Sequence, residues 1–180
     1  MNPSLAFGTV DTVLGRLLVG ATESGVALLA FRDGPGARAR AAERAGLPVV
    51  TDPDRLAPAL AGLAAYFEGE PRDLTLPIDW RLTSPLQRQV LTTLYESVPY
   101  GQVVTYGELG ERSAAGVPAQ AIGQVMGGNP IPLIVPCHRV VAANGLGGYS
   151  GGSGIEVKRW LLTLEGALPA TLDWDLATAP

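Results

Sequence analysis

Cysteine, histidine and lysine each occur once in the 180 residues, as Cys137, His138 and Lys158. A single cysteine excludes an internal disulfide, and one cysteine with one histidine cannot build a four-ligand zinc site. No metal is expected, and the setting expected is a reducing cytoplasm. No apolar run reaches the roughly 18 residues that a membrane helix needs, so no membrane partner is expected. The opening Met1-Asn2-Pro3-Ser4 lacks a basic region followed by an apolar one, and no secretory signal is read there. Basic charge is also scarce, with 13 basic residues against 17 acidic ones and a net charge of −4. From Ser84 onward five basic residues face seven acidic ones. A protein that gripped nucleic acid mainly through phosphate ion pairs would be basic, so charge alone argues against DNA. Twelve of the 13 basic residues are arginine. With the abundant alanine, that reads as mutational bias in the encoding genome rather than as function.

A hydrophobic share of 47% is enough for a packed core, and the length suits one generous domain or two small ones. Leu17–Ala21 and Val26–Phe31 flank the turn signal Glu23-Ser24-Gly25 and predict a β-hairpin. Ala37–Ala45 predicts a short helix ending at Gly46, and Val49-Val50 a further strand. Leu56, Leu60, Leu63 and Phe67 recur at helical spacing from about Asp54 to Glu68. Asp73–Arg81 reads as an extended connection, with a domain boundary near Leu82. Beyond it, Ser84-Pro85-Leu86-Gln87 and Thr105-Tyr106-Gly107-Glu108 are capping boxes that open helices. A short helix over about Pro118–Met126 follows, and two short helices joined through a glycine turn resemble a helix-turn-helix, a weak signal by spacing alone. Val157, Trp160, Leu161 and Leu164 mark a closing amphipathic helix.

The segment from Asn129 to Val141 carries Pro130, Pro132 and Pro136, which forbid a helix and set extended or turn geometry. It delivers Cys137 at the end of a stiff stretch. A lone cysteine in apolar surroundings is ordinarily a packing residue. Here the chain's one histidine is its neighbour, and a glycine-rich loop with Tyr149 and Ser150 follows. A thiol needs help to become the attacking thiolate, and a histidine can take its proton. Adjacent side chains on an extended segment point apart, which favours a relay through one water. Glu165 falls in the last turn of its helix, where a negative charge opposes the helix dipole. It is either a solvated glutamate or the partner that orients His138.

Pro136-Cys137-His138-Arg139-Val140, preceded by Asn129-Pro130 and followed by Tyr149-Ser150-Gly151-Gly152, closely resembles the O6-alkylguanine-DNA alkyltransferases. The resemblance runs from about Thr83 through Gly166, including Val98-Pro99-Tyr100-Gly101 and Trp160-Leu161-Leu162, and is loose in the first half. It implies an α/β N-terminal domain like ribonuclease H over residues 1–82. A mostly helical domain with a winged-helix-like helix-turn-helix would follow over 83–180. It also implies single-turnover repair of double-stranded DNA carrying O6-alkylguanine, with O4-alkylthymine a further substrate to consider. The DNA would be bound through the minor groove by a monomer, with the target base flipped out and no cofactor used.

Residue by residue, Cys137 matches the alkyl acceptor, with His138 and Glu165 as its relay. Asn129 matches the brace between the helix-turn-helix and the active-site segment. Tyr106 matches the residue that turns the target phosphate and protonates guanine N3. Met126, Tyr149, Ser150 and Gly151 match the pocket and its loop, Arg139 of the core motif is placed with them among the residues that would meet substrate or DNA, and the backbone of Cys137 and Val140 would accept from the guanine amine. One departure stands out: Gln120 occupies the position of an arginine that fills the gap left by the flipped base. No basic residue lies between Ser113 and His138. Two other functions stay open at this stage. One is a non-catalytic alkyltransferase-like protein that binds lesions and recruits other repair factors. The other is a thiol hydrolase built on Cys137 and His138.

Overall fold

The computed structural model describes residues 2–70 and 73–169. They fall into two compact units. One runs up to Glu70 and adds Leu74–Leu82; the other takes in Asp73 and continues from Thr83.

The first unit is a four-stranded sheet with helices. Strands β1 (Leu5–Thr12), β2 (Gly15–Thr22) and β3 (Gly25–Ala30) pair antiparallel, and β4 (Val49–Val50) adds parallel to β1, giving the order β3-β2-β1-β4. The hairpin expected from the turn at Glu23-Ser24-Gly25 is β2–β3. Strand β1 has no counterpart in the sequence reading, because Ala6, Gly8 and Asp11 are poor strand formers. Pairing on both edges makes it a strand. Helix α1 (Ala37–Ala45) ends at Gly46, whose φ of 64° suits the left-handed cap. Helix α2 (Pro53–Phe67) starts where Asp52 accepts from the Arg55 amide at 3.1 Å, and it buries Leu56, Ala59, Leu63 and Tyr66. That face lies on the sheet. A Cβ on Gly8 would sit 3.1 Å from both Leu56 and Leu60, so glycine lets the helix approach. Each buried leucine there stabilises by roughly 1.5–3 kcal/mol relative to exposure. The segment after Asp73 is less plain than a connection. Ile78 bridges to Val26, the Asp79 amide donates to the Val26 carbonyl at 2.9 Å, and a 3-10 turn follows at Trp80–Leu82.

The second unit is mostly helical. Both capping boxes form. Ser84 and Gln87 open α3 (Pro85–Ser97), and Thr105 and Glu108 open α4 (Tyr106–Arg112). Helix α5 (Ala119–Gly127) follows a six-residue connection, 113–118, in which Gly116 has a φ of 67°. Gln89 and Gln87 on α3 donate to the Ser113 and Gly128 carbonyls at 2.8 and 3.2 Å. Those bonds pin the α4–α5 pair at both ends. Helix α6 (Ile155–Leu164) buries Val157, Trp160 and Leu161. Strands β5 (Val104–Thr105) and β6 (Val140–Val141) pair in parallel across 36 residues of chain, a contact without a sequence signal. No described helix is long and apolar enough to cross a membrane.

Candidate active site

The segment before Cys137 is folded back on itself. Asn129 accepts from the Ile131 amide and donates to the Val135 carbonyl, both at 2.9 Å. Between them the Ile134 amide reaches the Pro132 carbonyl at 2.9 Å across Leu133, whose φ is 70°. That is the rare positive-φ γ-turn, a strained conformation for leucine. Pro136, at φ −81° and ψ 65°, makes the commoner inverse γ-turn, with the Cys137 amide 2.8 Å from the Val135 carbonyl. Cys137–Arg139 then form a single 3-10 turn rather than the extended stretch expected. Proline and the Asn129 side chain supply the bends that an extended chain lacks.

His138 is fully buried, and its Nε2 lies 2.7 Å from Glu165 Oε1. Of the two readings of Glu165, the solvated one is thereby excluded. A carboxylate only accepts, so Nε2 carries a proton and donates it to Glu165. Nδ1 is buried and has no hydrogen-bond partner among the described residues. Burial would raise the Glu165 carboxyl, but His138 and Arg139 overcome it and hold the group well below the usual range.

Arg139 requires a correction. Placed by its motif among the DNA-facing residues, it is only 3% exposed. Its guanidinium grips Glu165 at 2.8 and 3.0 Å, Asp73 at 2.7 Å and the Val98 carbonyl at 2.8 Å. These partners leave it turned inward. They also explain Val98-Pro99-Tyr100-Gly101. The Tyr100 ring lies 5.8 Å beneath the guanidinium and its hydroxyl donates to the Leu164 carbonyl at 3.2 Å. A Cβ on Gly101 would come within 3.0 Å of the Glu165 carbonyl.

Cys137, 6% exposed, opens onto a cleft of about 620 Å³. Tyr106, Gln120, Met126, Tyr149 and Ser150 line it as well, so the fold brings together residues spread over 45 positions. Helix α5 faces the cleft with Ala119, Gln120, Gly123 and Gly127, and turns Ile122 and Val125 inward. The mostly small face leaves room for a flat ligand. The β5–β6 pair sets Tyr106, first residue of α4, beside the turn that carries Cys137. Gly147, at φ 72°, lets the glycine-rich loop pass Tyr106, since a Cβ there would fall 2.8 Å from its ring. Gly151 does not line the cleft; its carbonyl closes a loop turn with the Gly154 amide at 2.9 Å. Val140 is buried in β6.

Burial pushes the Cys137 thiol up, while the Asn129 hydrogen bond and the Lys158 charge pull it down. Burial, then the Cys137 charge, raises Tyr106 and takes Tyr149 well above its ordinary value, so both remain phenols. Lys158, set aside in the sequence as compositional bias, is 0% exposed and bonded to the Val140 carbonyl at 2.5 Å and the Gly148 carbonyl at 3.0 Å. Its place on the buried stripe of α6, one residue after Val157, was the signal that could have found it.

Comparison with known proteins agrees with this geometry. The model of the 6-O-methylguanine DNA methyltransferase DNA binding domain matches residues 85–167, and that of its ribonuclease-like domain matches residues 5–80. A methylated-DNA–protein-cysteine methyltransferase of Saccharolobus islandicus is 35% identical over 162 residues, 90% of this chain and 96% of the relative. One from Mycolicibacterium paratuberculosis is 43% identical over 115 residues, covering 63% of this chain and 67% of its own. Mycobacterium tuberculosis OGT, solved in complex with DNA, superposes with a TM-score of 0.75 at 35% identity, covering 90% of this chain and 93% of that one.

Proposed function

The chain belongs to the 6-O-methylguanine DNA methyltransferase family, and on that footing we propose that Cys137 takes the alkyl group from O6-alkylguanine in DNA. The observation that carries this reading is the one cysteine of the chain facing a cleft, backed by a buried His138–Glu165 pair. The Cys137 proton passes through one water to His138 Nδ1, and Glu165 stabilises the imidazolium that results. The thiolate attacks the saturated carbon, the carbon–oxygen bond breaks, and its electron pair stays on guanine. Tyr106 protonates N3, while donors of the Tyr149–Ser150 loop face O6. The backbone carbonyls of Cys137 and Val140 accept from the guanine amine; the latter has a second lone pair beside the one given to Lys158. The product is a thioether without an easy way back, so each molecule acts once and no cofactor enters.

The DNA is double-stranded and enters by its minor groove, with α5 as the recognition helix of a winged-helix-like arrangement and Gln120 at the rim. Residues 1–82 form the ribonuclease H-like domain and 83–180 the DNA-binding and acceptor domain of a cytoplasmic monomer. Incubation with a duplex carrying O6-methylguanine tests the reading by intact mass. One methyl should appear on the peptide that holds Cys137. Cys137→Ser should bind the duplex and gain nothing, because an alcohol is far less nucleophilic near neutral pH. A wild type that binds lesions but never gains mass would instead be a recruiting protein, and full transfer by Cys137→Ser would sink the assignment.

A further inference from the structure

Three asparagines occur in the chain, and two of them precede proline, as Asn2-Pro3 and Asn129-Pro130. The third is Asn144, followed by Gly145. The backbone nitrogen after an asparagine can attack the side-chain amide carbon and close a five-membered succinimide ring. Proline has no N–H with which to do so. A side chain on the following residue crowds the ring, and glycine has none.

The fold leaves Asn144 open to that reaction. It is exposed at the tip of a tight turn, Ala143-Asn144, closed by the bridge between Ala142 and Gly145. The attacking Gly145 amide is held by a 3.5 Å bond to the Ala142 carbonyl, long beside the usual length of about 2.9–3.0 Å. No hydrogen bond among the described residues restrains the Asn144 side chain. Beyond the chain neighbours of Gly145, nothing lies within 4 Å of where its Cβ would stand. Asp33, the one aspartate that precedes glycine, is protected by contrast. Arg38 donates to it at 2.7 Å and holds its carboxyl below the usual range, and a carboxylate resists nucleophilic attack.

We propose that Asn144 is a site of spontaneous deamidation whose isoaspartate product displaces the cleft wall and slows transfer, a consequence that rests on Cys137 being the acceptor. The Gly145 nitrogen bonds to Asn144 Cγ, and the side-chain nitrogen leaves with the displaced proton as ammonia. Water then opens the ring. Attack at the side-chain carbonyl gives aspartate. Attack at the backbone carbonyl gives isoaspartate, in which the chain runs through Cβ and Cγ and the old backbone carbonyl becomes a free carboxylate.

Isoaspartate therefore adds one methylene to the backbone, and it does so between two fixed points. Val140 and Val141 are paired in β6, and Gly147 packs so closely on Tyr106 that a Cβ would fall 2.8 Å from it. The Gly148 carbonyl is bound by Lys158 at 3.0 Å. A longer chain between those points shifts Tyr149 and Ser150, which line the cleft with Cys137. It also places a carboxylate on a stretch, Val140 to Gly154, that carries no charged residue.

The test is to store purified protein at physiological temperature and neutral pH and separate its charge variants by anion exchange. The tryptic peptide 140–158 should gain the mass of an amide-to-acid exchange at Asn144, and its isoaspartate is measured with protein-L-isoaspartate methyltransferase. Single-turnover transfer from an O6-methylguanine duplex, followed by intact mass, should be biphasic for the deamidated fraction. The slow amplitude should equal the isoaspartate content, with a rate about ten- to a hundredfold lower, the loss expected when a site is misplaced by about 1 Å. Asn144→Gln should match fresh wild type and keep its rate on storage, since the longer side chain must close a six-membered ring. Asn144→Asp, which adds the charge without the methylene, should stay close to fresh wild type. An Asn144 that stays intact while a synthetic peptide 140–158 deamidates would overturn the site. A deamidated fraction as fast as fresh protein, or Asn144→Asp as slow as the slow phase, would overturn the loop argument. A fresh wild type that gains no methyl at Cys137 would instead overturn the acceptor and leave the modification standing.

Discussion

Arg139→Ala should act on folding and leave the DNA contacts nearly untouched. The side chain is 4% exposed, and the Glu165 carboxylate it pairs with is fully buried. Removing the guanidinium takes two charge-assisted bonds from that carboxylate, which keeps its bond to His138, and one donor from the Val98 carbonyl. The pair with Asp73 adds little, because that carboxylate is 43% exposed and screened by water. Breaking a buried pair by deleting one partner costs about 3–5 kcal/mol. At roughly 2–4 °C per kcal/mol for a chain of this size, the melting point should drop by about 6–20 °C. The Glu165 carboxyl is held below its ordinary value in the folded state, so it stabilises above the unfolded pKa of about 4.3, and that gain is lost as pH falls. The Arg139→Ala variant should therefore lose less stability than wild type on acidification. Circular dichroism melts at several pH values measure both effects. A DNA-contacting arginine would behave in the opposite way, with stability intact and the slope of log affinity against log salt shallower by about one phosphate. That second pattern would refute the inward placement of Arg139.

His138→Ala should slow transfer by at least about tenfold at saturating DNA, and Glu165→Gln should act in the same direction but more weakly, since a hydrogen bond to Nε2 survives. Unchanged single-turnover rates for both would remove the relay. Gln120→Arg at the cleft rim should speed transfer on duplex DNA by a few-fold to about a hundredfold and leave single strands nearly unchanged. A charged group offsets part of the few kcal/mol that unstacking costs, and charge-assisted bonds are about twice as strong as neutral ones. Equal duplex rates would mean that Gln120 only meets solvent.

What the sequence determined by itself was whatever depends on neighbours along the chain. Ser84 with Gln87, Thr105 with Glu108, and Gly46 after Ala45 mark helix ends because caps act within four residues. The apolar spacing of Leu56, Leu60 and Leu63 shows a buried helix face for the same reason, and the Pro-Cys-His-Arg-Val run reveals the family because its residues are contiguous. The tertiary structure decided what lies across long loops. Strand β1 exists through its pairing, since Ala6, Gly8 and Asp11 have little strand preference of their own. The β5–β6 pair, which sets Tyr106 beside Cys137, joins two-residue strands too short to show a period. The motif places Arg139 next to His138 but does not reveal that its partners lie 26, 41 and 66 residues away. Lys158 is hidden in the same way. A lysine on a helix is read as a solvated cation until the fold shows that carbonyls from two other segments and a tyrosine hydroxyl surround it.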